Sequence, residues 1–230
     1  AVLADHDPRT TVVHTHSLSA SISPAVGPVL TSGSPAHVFT MHDFLLACPT
    51  GTFFHHRDEQ LCERRPLGRA CLTTNCDANR PLHKGWRVTR QLLMRSVGRM
   101  PRDLTDVVYL SQLQLDVMRP HIPAGVELHH VPNPVPVEPG PRVPAGANDV
   151  FLFVGRLCHE KGAVPFARAA REAGVRAVFV GAGPDEDEVR RVNPDAEIVG
   201  WVAPDEVQRW MQQSRCLVFP SIWYESFGLV

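Results

Sequence analysis

Residues around position 155 gather groups suited to holding an anion: Gly155, Arg156 and then Lys161-Gly162. Glycine lets backbone approach a ligand, arginine offers a planar fork to phosphate oxygens, and lysine at a helix start adds charge where free N–H groups already favour anions. Lysine occurs only at Lys84 and Lys161, so 23 − 2 = 21 of the basic residues are arginine. The bland reading of this loop is a solvated basic turn beside Glu160. Glu225, ahead of Ser226-Phe227-Gly228, can accept hydrogen bonds from sugar hydroxyls or simply sit in the favourable field of a helix N-terminus.

Further groups lie upstream. His42 ends an apolar run beside Asp43, and His14 and His16 share one strand face by the period of two, with His16 kept as an acceptor-side candidate. Cys48, Cys62, Cys71 and Cys76 are spaced C-x13-C-x8-C-x4-C, with His55 and His56 among them. Zinc sites usually carry tighter C-x2–4-C pairs, so these four are metal candidates only against a reading as reduced thiols. The acids Asp185-Glu186-Asp187-Glu188 suit the first turn of a helix and need no metal. Gly181-Ala182-Gly183 reads as a tight strand-to-helix turn.

The elements that must position these groups follow from periodicity. Residues 12–16 and 36–41 read as buried strands, 47–83 as a long irregular stretch, and 84–99 as a basic helix with Trp86, Leu92, Leu93 and Val97 inside. A strand at 106–110 precedes a helix capped by Ser111 and stopped near Met118, and 126–131 is another strand. From 150 onward the pattern alternates: strands at 150–154, 176–180, 196–199 and 216–219, with helices at 163–173, 185–192 and 204–213. Such alternation predicts βαβ units, a doubly wound α/β fold with parallel sheets, and ligands at the carboxyl ends of the strands. Six prolines between 132 and 148 mark a linker, giving an acceptor-side domain over 1–135, a linker over 136–148 and a donor-binding domain over 149–230.

Composition bounds the rest. The 230 residues carry 23 Lys+Arg and 24 Asp+Glu, a net charge of −1, with 43% hydrophobic residues. That excludes a disordered chain and a strongly basic nucleic-acid binder. No window of the length needed to span a bilayer is apolar, and no secretion signal is visible, so the expected location is cytoplasmic.

The ordered set of motifs resembles the retaining glycosyltransferases of the GT-B fold, family 4, or glycosyl transferases group 1. Phe153-Val154-Gly155-Arg156-Leu157 with Glu160-Lys161-Gly162 resembles "VGRL…EKG", and Val180 to Pro184 resembles "VGxGP". Val199 to Val202 resembles the "GWV" strand end. Phe219-Pro220-Ser221 with Glu225 to Leu229 resembles "FPSxxEGFGL", with Ser226 in place of the commoner glycine. Val13 to His16, Thr40 to Asp43, Cys48-Pro49 and Val131 to Pro134 resemble the acceptor-domain motifs. The resemblance implies transfer of a sugar from a nucleotide-diphosphate donor to an acceptor hydroxyl, with retention and without a cofactor or metal. It implies that Arg156 and Lys161 neutralise the departing diphosphate, that Glu225 contacts the donor sugar, and that His42 reaches the sugar from the other domain. Gly155, Gly183, Ser226, Phe227 and Gly228 would line the donor, and His16 and Asp43 the acceptor side.

The second glutamate of the family's E-x7-E motif would fall beyond Val230, and the family's first strand and glycine-rich loop would precede Ala1. The expectation is therefore a chain cut at both ends, an inactive or weakened fragment of such an enzyme. Acceptors in the family range from lipids to polysaccharides and small metabolites. Peripheral contact with the inner face of a membrane is compatible with that range, though the near-neutral charge gives it no support. Competing readings are a non-catalytic nucleotide-binding or Cys/His metal-binding module and a GT-B nucleotide-sugar epimerase.

Overall fold

A computed structural model describes residues 6–17, 23–33, 35–135, 140 and 142–228. The chain divides into two compact units. The first runs to Pro134 and takes in Tyr224–Gly228, which the sequence reading placed in the second domain; the second comprises Val135–Trp223. Residues 136–139 and 141 of the expected linker, and Leu229 of the last motif, lie outside the described residues.

The first unit is built on four parallel strands in the order β1-β2-β5-β6: β1 Val12–His16, β2 Ala36–Thr40, β5 Asp106–Tyr109 and β6 Glu127–His130. Parallel strands need crossovers, and these are supplied by helices α1 Gly27–Leu30, α3 Pro81–Ser96 and α4 Gln112–Met118 with their flanking loops. Phe39, Met41, Phe44, Met94, Met100, Val107 and Met118 form one apolar cluster under the sheet. Among the described residues β1 pairs only with β2; Thr15 is buried while Val12 is 61% exposed, so this is not the buried strand expected.

Two other expectations are corrected. The stretch 47–83 holds a small antiparallel hairpin, β3 Phe54–His55 with β4 Gln60–Leu61, and a short helix α2 Arg69–Thr73. Helix α3 exists but faces the other way. Trp86 is 65% exposed, and Leu92, Leu93 and Val97 are exposed with it, whereas Lys84, Gln91 and Met94 are buried. The physical reason is polar satisfaction. The Gln91 amide donates to the Leu46 and Ala47 carbonyls at 3.3 and 3.2 Å, holding the chain after β2 in a way leucine cannot.

The second unit follows the predicted alternation. Strands β7 Val150–Val154, β8 Arg176–Val180, β9 Glu197–Gly200 and β10 Cys216–Leu217 pair in the parallel order β10-β7-β8-β9. Helix α5 Ala163–Ala173 packs Phe166, Ala167 and Ala170 onto one face, where the rings of Phe153, Phe166 and Phe179 meet at 5.1 to 6.5 Å between centroids. Helix α7 Pro204–Gln212 sets Val207, Trp210 and Met211 against Leu152 and Val178 on the other face. Coverage on both faces explains why β7 and β8 read as near-continuous apolar runs. Helix α6 Glu186–Val192 carries the acidic run in its first turn, and Glu186 and Glu188 pair with Arg190 and Arg191.

Candidate functional site

In the second unit the anion-binding candidates collect beyond the carboxyl ends of β7 and β8. The Gly155 N–H donates to the Val180 carbonyl, the Leu157 N–H donates to the Ala182 carbonyl at 3.1 Å, and the Asp185 N–H donates to the Leu157 carbonyl at 3.0 Å. A side chain at Gly183 would place its Cβ 2.1 Å from the Leu157 carbonyl oxygen, so the 155–157 and 181–184 turns pack backbone to backbone. This is the tight turn expected of Gly181-Ala182-Gly183. Arg156 projects from it, exposed.

Lys161 closes a single helical turn, His159–Lys161, immediately before α5. Gly162 then adopts φ +75° as the N-cap residue of α5, and a Cβ there would meet the Pro220 carbonyl oxygen at 2.1 Å. Glycine is thus required twice over, by backbone conformation and by the close approach of the 220–223 segment. That segment is held by the Ile222 N–H donating to the Glu160 carbonyl at 3.1 Å, and the Lys161 ammonium lies 5.8 Å from the centre of the Trp223 ring. An ammonium at this distance from an indole face is attracted by the ring quadrupole. Cys158, buried beside Glu160, has its thiol pushed up to about 11 by desolvation and then by that carboxylate, so it is protonated and unreactive at neutral pH.

In the first unit three histidines meet at the carboxyl end of the sheet. The rings of His14 and His16 are 4.2 Å apart and those of His16 and His42 5.1 Å, and His16 Nδ1 and His42 Nε2 share a hydrogen bond of 2.8 Å. Thr40 Oγ1 bonds His14 Nε2 at 2.7 Å. Desolvation, then the neighbouring imidazole, lowers the pKa of His42 and of His14, so both are neutral at pH 7. A neutral His42 carries one N–H donor and one acceptor nitrogen, and with Nε2 bonded to His16 the tautomer decides which role falls to Nδ1. Asp43, largely desolvated, has its carboxyl pushed up despite a bond from the Leu45 N–H at 2.8 Å and the charge of Arg90.

Tyr224–Gly228 packs within this first unit. The Ser226 hydroxyl donates to the His42 carbonyl at 2.7 Å, and the Ser111 hydroxyl donates to the Ser226 carbonyl at 2.7 Å. Tyr224 stacks obliquely near Phe44, and Glu225 and Phe227 are half-buried. Gln114, fully buried, donates to the Met41 carbonyl at 3.0 Å and accepts from the Leu110 N–H at 2.8 Å, so one amide clamps the ends of β2 and β5. Neither Gln114 nor Ser111's bond to Ser226 was legible in the sequence; a polar residue at an apolar helix position was the only signal for the former. A cavity of about 570 Å³ opens beside these elements, lined by Phe53, Arg64, Arg65, Asp116, His121 and Tyr224.

The cysteine cluster carries no convergent metal set: among the described residues no group of three or more His, Cys, Asp or Glu side chains is placed to hold a metal ion, and all six thiols are free. Around Cys71 and Cys76 the central position is taken by the Lys84 ammonium.

These features define a two-unit α/β protein with parallel sheets, in which the second unit has a glycine-lined loop at its strand ends. Residues 148–230, about a third of the chain, match the family described as "Glycosyl transferases group 1". A 64-residue stretch is 34% identical to the GDP-mannose-dependent alpha-mannosyltransferase of Corynebacterium glutamicum, covering 28% of this chain and 16% of that protein. Two solved structures are similar. AviGT4, a glycosyltransferase involved in Avilamycin A biosynthesis, aligns at 20% identity and TM-score 0.48, over 96% of this chain and 52% of its own. A mutant of TarM from S. aureus, in complex with Fondaparinux, alpha-GlcNAc-glycerol and UDP, aligns at 15% identity and TM-score 0.41, over 54% and 26%. The matches thus span about half or less of each of these proteins.

Proposed function

We propose that the chain serves a retaining glycosyltransferase of hexosyltransferase type, which moves a sugar from a nucleotide-diphosphate donor to an acceptor hydroxyl. The observation that carries this reading is the Gly155–Gly162 loop, built against the 181–184 turn and ending at the N-terminus of α5. Backbone N–H groups, a guanidinium and an ammonium there suit two phosphates. As the glycosidic C–O bond breaks, negative charge grows on the leaving diphosphate. Arg156 and Lys161 stabilise it more strongly in the transition state than in the bound donor, which accelerates the step. Glu225 and the 226–228 backbone are assigned to donor-sugar hydroxyls, and His42 to the sugar through its ring N–H, with His16 fixing that ring. Gly155 and Gly183 allow the donor close backbone approach. Asp43 is assigned to the acceptor side. Loss and gain on the same face of the sugar, assisted by the departing phosphate, requires no side-chain nucleophile.

The mannosyltransferase relative makes GDP-mannose the first donor to test. Titration of the protein with GDP, UDP and ADP, followed by calorimetry, tests the assignment. Binding of one diphosphate that is weakened at least tenfold in Lys161→Ala supports it. No binding of any of the three favours a non-catalytic module. An acceptor in lipid form, and with it contact of the protein with a membrane face, belongs to the same proposal; no helix among the described residues is long and apolar enough to cross a membrane.

A further inference from the structure

Lys84 is one of two lysines in the chain, and it is 5% exposed. Burying an ammonium costs several kcal/mol unless it is well paired. Its partners are sulfurs: Nζ donates to Cys76 Sγ at 3.1 Å and to Cys71 Sγ at 3.8 Å, and both cysteines are buried. Cys48 and Cys62 also bear on the pair electrostatically. Among the described residues no carboxylate pairs with Lys84. Sulfur is a weak acceptor, so the arrangement is expensive as a structural device, and an apolar side chain would fill α3's inner face at lower cost. An amine nitrogen and a thiol sulfur 3.1 Å apart are a pairing that oxidation can join.

We propose that Cys76 and Lys84 form a peroxide-dependent covalent crosslink that ties the segment after α2 to α3. In the first step the Cys76 sulfur attacks a peroxide oxygen. The O–O bond breaks, one water leaves, and Cys76 becomes a sulfenic acid, oxidised by two electrons. In the second step Lys84 Nζ, having given one proton to solvent, attacks that sulfur. An S–N bond forms, the S–O bond breaks, and the hydroxyl leaves as water with a proton from the amine. One hydrogen peroxide is reduced to two waters in all. Condensation of a sulfenic acid with a nearby nitrogen or thiol is its ordinary fate. Here a nitrogen is already in place, with Lys84 Nζ at 3.1 Å from Cys76 Sγ. Burial, which raises the Cys76 pKa despite the nearby ammonium, makes the first step faster as pH rises.

The test is peptide mapping of the whole protein after treatment with a modest excess of hydrogen peroxide and alkylation of remaining thiols. Trypsin leaves residues 70–87 as one peptide when Lys84 is bridged, because Arg80 precedes Pro81 and a modified Lys84 is not cut. The expected product is that peptide, lighter by two hydrogens, with Cys71 alkylated and Cys76 not, reverting on reduction. A second peroxide, reduced to water, would leave one oxygen between sulfur and nitrogen, and that heavier join of the same two residues supports the proposal equally. In Cys71→Ala the crosslink persists; in Lys84→Met it is lost. A peroxide product in which Cys71 and Cys76 are both blocked with Lys84 cleavable is a disulfide and overturns the proposal. So does Cys76 ending as a sulfinic acid, or a full equivalent of zinc in the purified protein. Mapping of the unaltered chain decides by itself if Lys84→Met does not fold.

Discussion

The Ser226 hydroxyl donates to the backbone carbonyl of His42 at 2.7 Å, and Ser226 stands where the group 1 pattern that the segment resembles carries glycine. The departure therefore has a partner. In Ser226→Gly that carbonyl loses its bond and the segment gains backbone freedom, a cost of about 1 kcal/mol for the bond and a similar amount for the glycine. The midpoint of chemical denaturation should fall accordingly. An unchanged midpoint would show that the serine contributes nothing to the pairing.

Gly162→Ala is expected to be among the most damaging single-methyl additions in the chain. The residue must hold φ +75° while its new Cβ displaces the Pro220 carbonyl. Strain of about 1–3 kcal/mol from the backbone alone, plus the clash, predicts a lower melting temperature and weaker nucleotide binding together. Gly174→Ala, also at positive φ but with open space around it, should cost only the backbone part. Equal losses in the two variants would remove the argument from close approach.

Gln114→Leu keeps the volume and removes the clamp. The Met41 carbonyl and the Leu110 N–H are then buried without partners, at about 1–3 kcal/mol each. Circular dichroism melting should show a loss well above that of Gln112→Leu, which breaks only an exposed side-chain bond to Asp116.

Stability should also depend on pH. His14, His37, His42 and His121 all have pKa values lowered from 6.5, with desolvation the leading cause. The unfolded chain then binds more protons than the folded one between those lowered values and 6.5. Stability rises with pH through that window, is complete above it, and is lost as pH falls. Asp43, raised from 3.8, works oppositely: stability falls as pH rises from 3.8 towards its folded value. Denaturation midpoints at pH 7.5 and 5.5, compared with those of His37→Gln, would report the effect; a flat profile would exclude it.

For the proposed reaction, Lys161→Ala should reduce kcat by about 100- to 1000-fold, the usual consequence of losing one preorganised charge at a leaving group. Lys161→Arg restores charge without the compact ammonium and should recover part of it. Transfer at the original rate in Lys161→Ala would end the assignment.

The second unit was legible almost residue by residue because buried parallel strands and amphipathic helices carry strong periodic signals, as in β7, α5 and β8. The first unit was less so. Its helix α3 puts Lys84 and Gln91 inside and Trp86 outside, and a pattern read from hydrophobicity assigns the reverse. The hairpin at Phe54–His55 and Gln60–Leu61 has strands of two residues each, too short for any period to register. The loop glycines, by contrast, were readable as turns, while the bonds of Ser111, Gln114 and Ser226 join residues up to 184 apart in sequence, a distance over which no local pattern speaks.

The scarcity of lysine has a practical side. Of the two ε-amines in these 230 residues, Lys84 is enclosed by thiols and Lys161 sits at the loop assigned to the diphosphate. An amine-reactive dye or electrophilic probe used on the folded protein therefore has a single side-chain address of consequence. Its attachment there becomes a direct optical report of whether that loop is occupied.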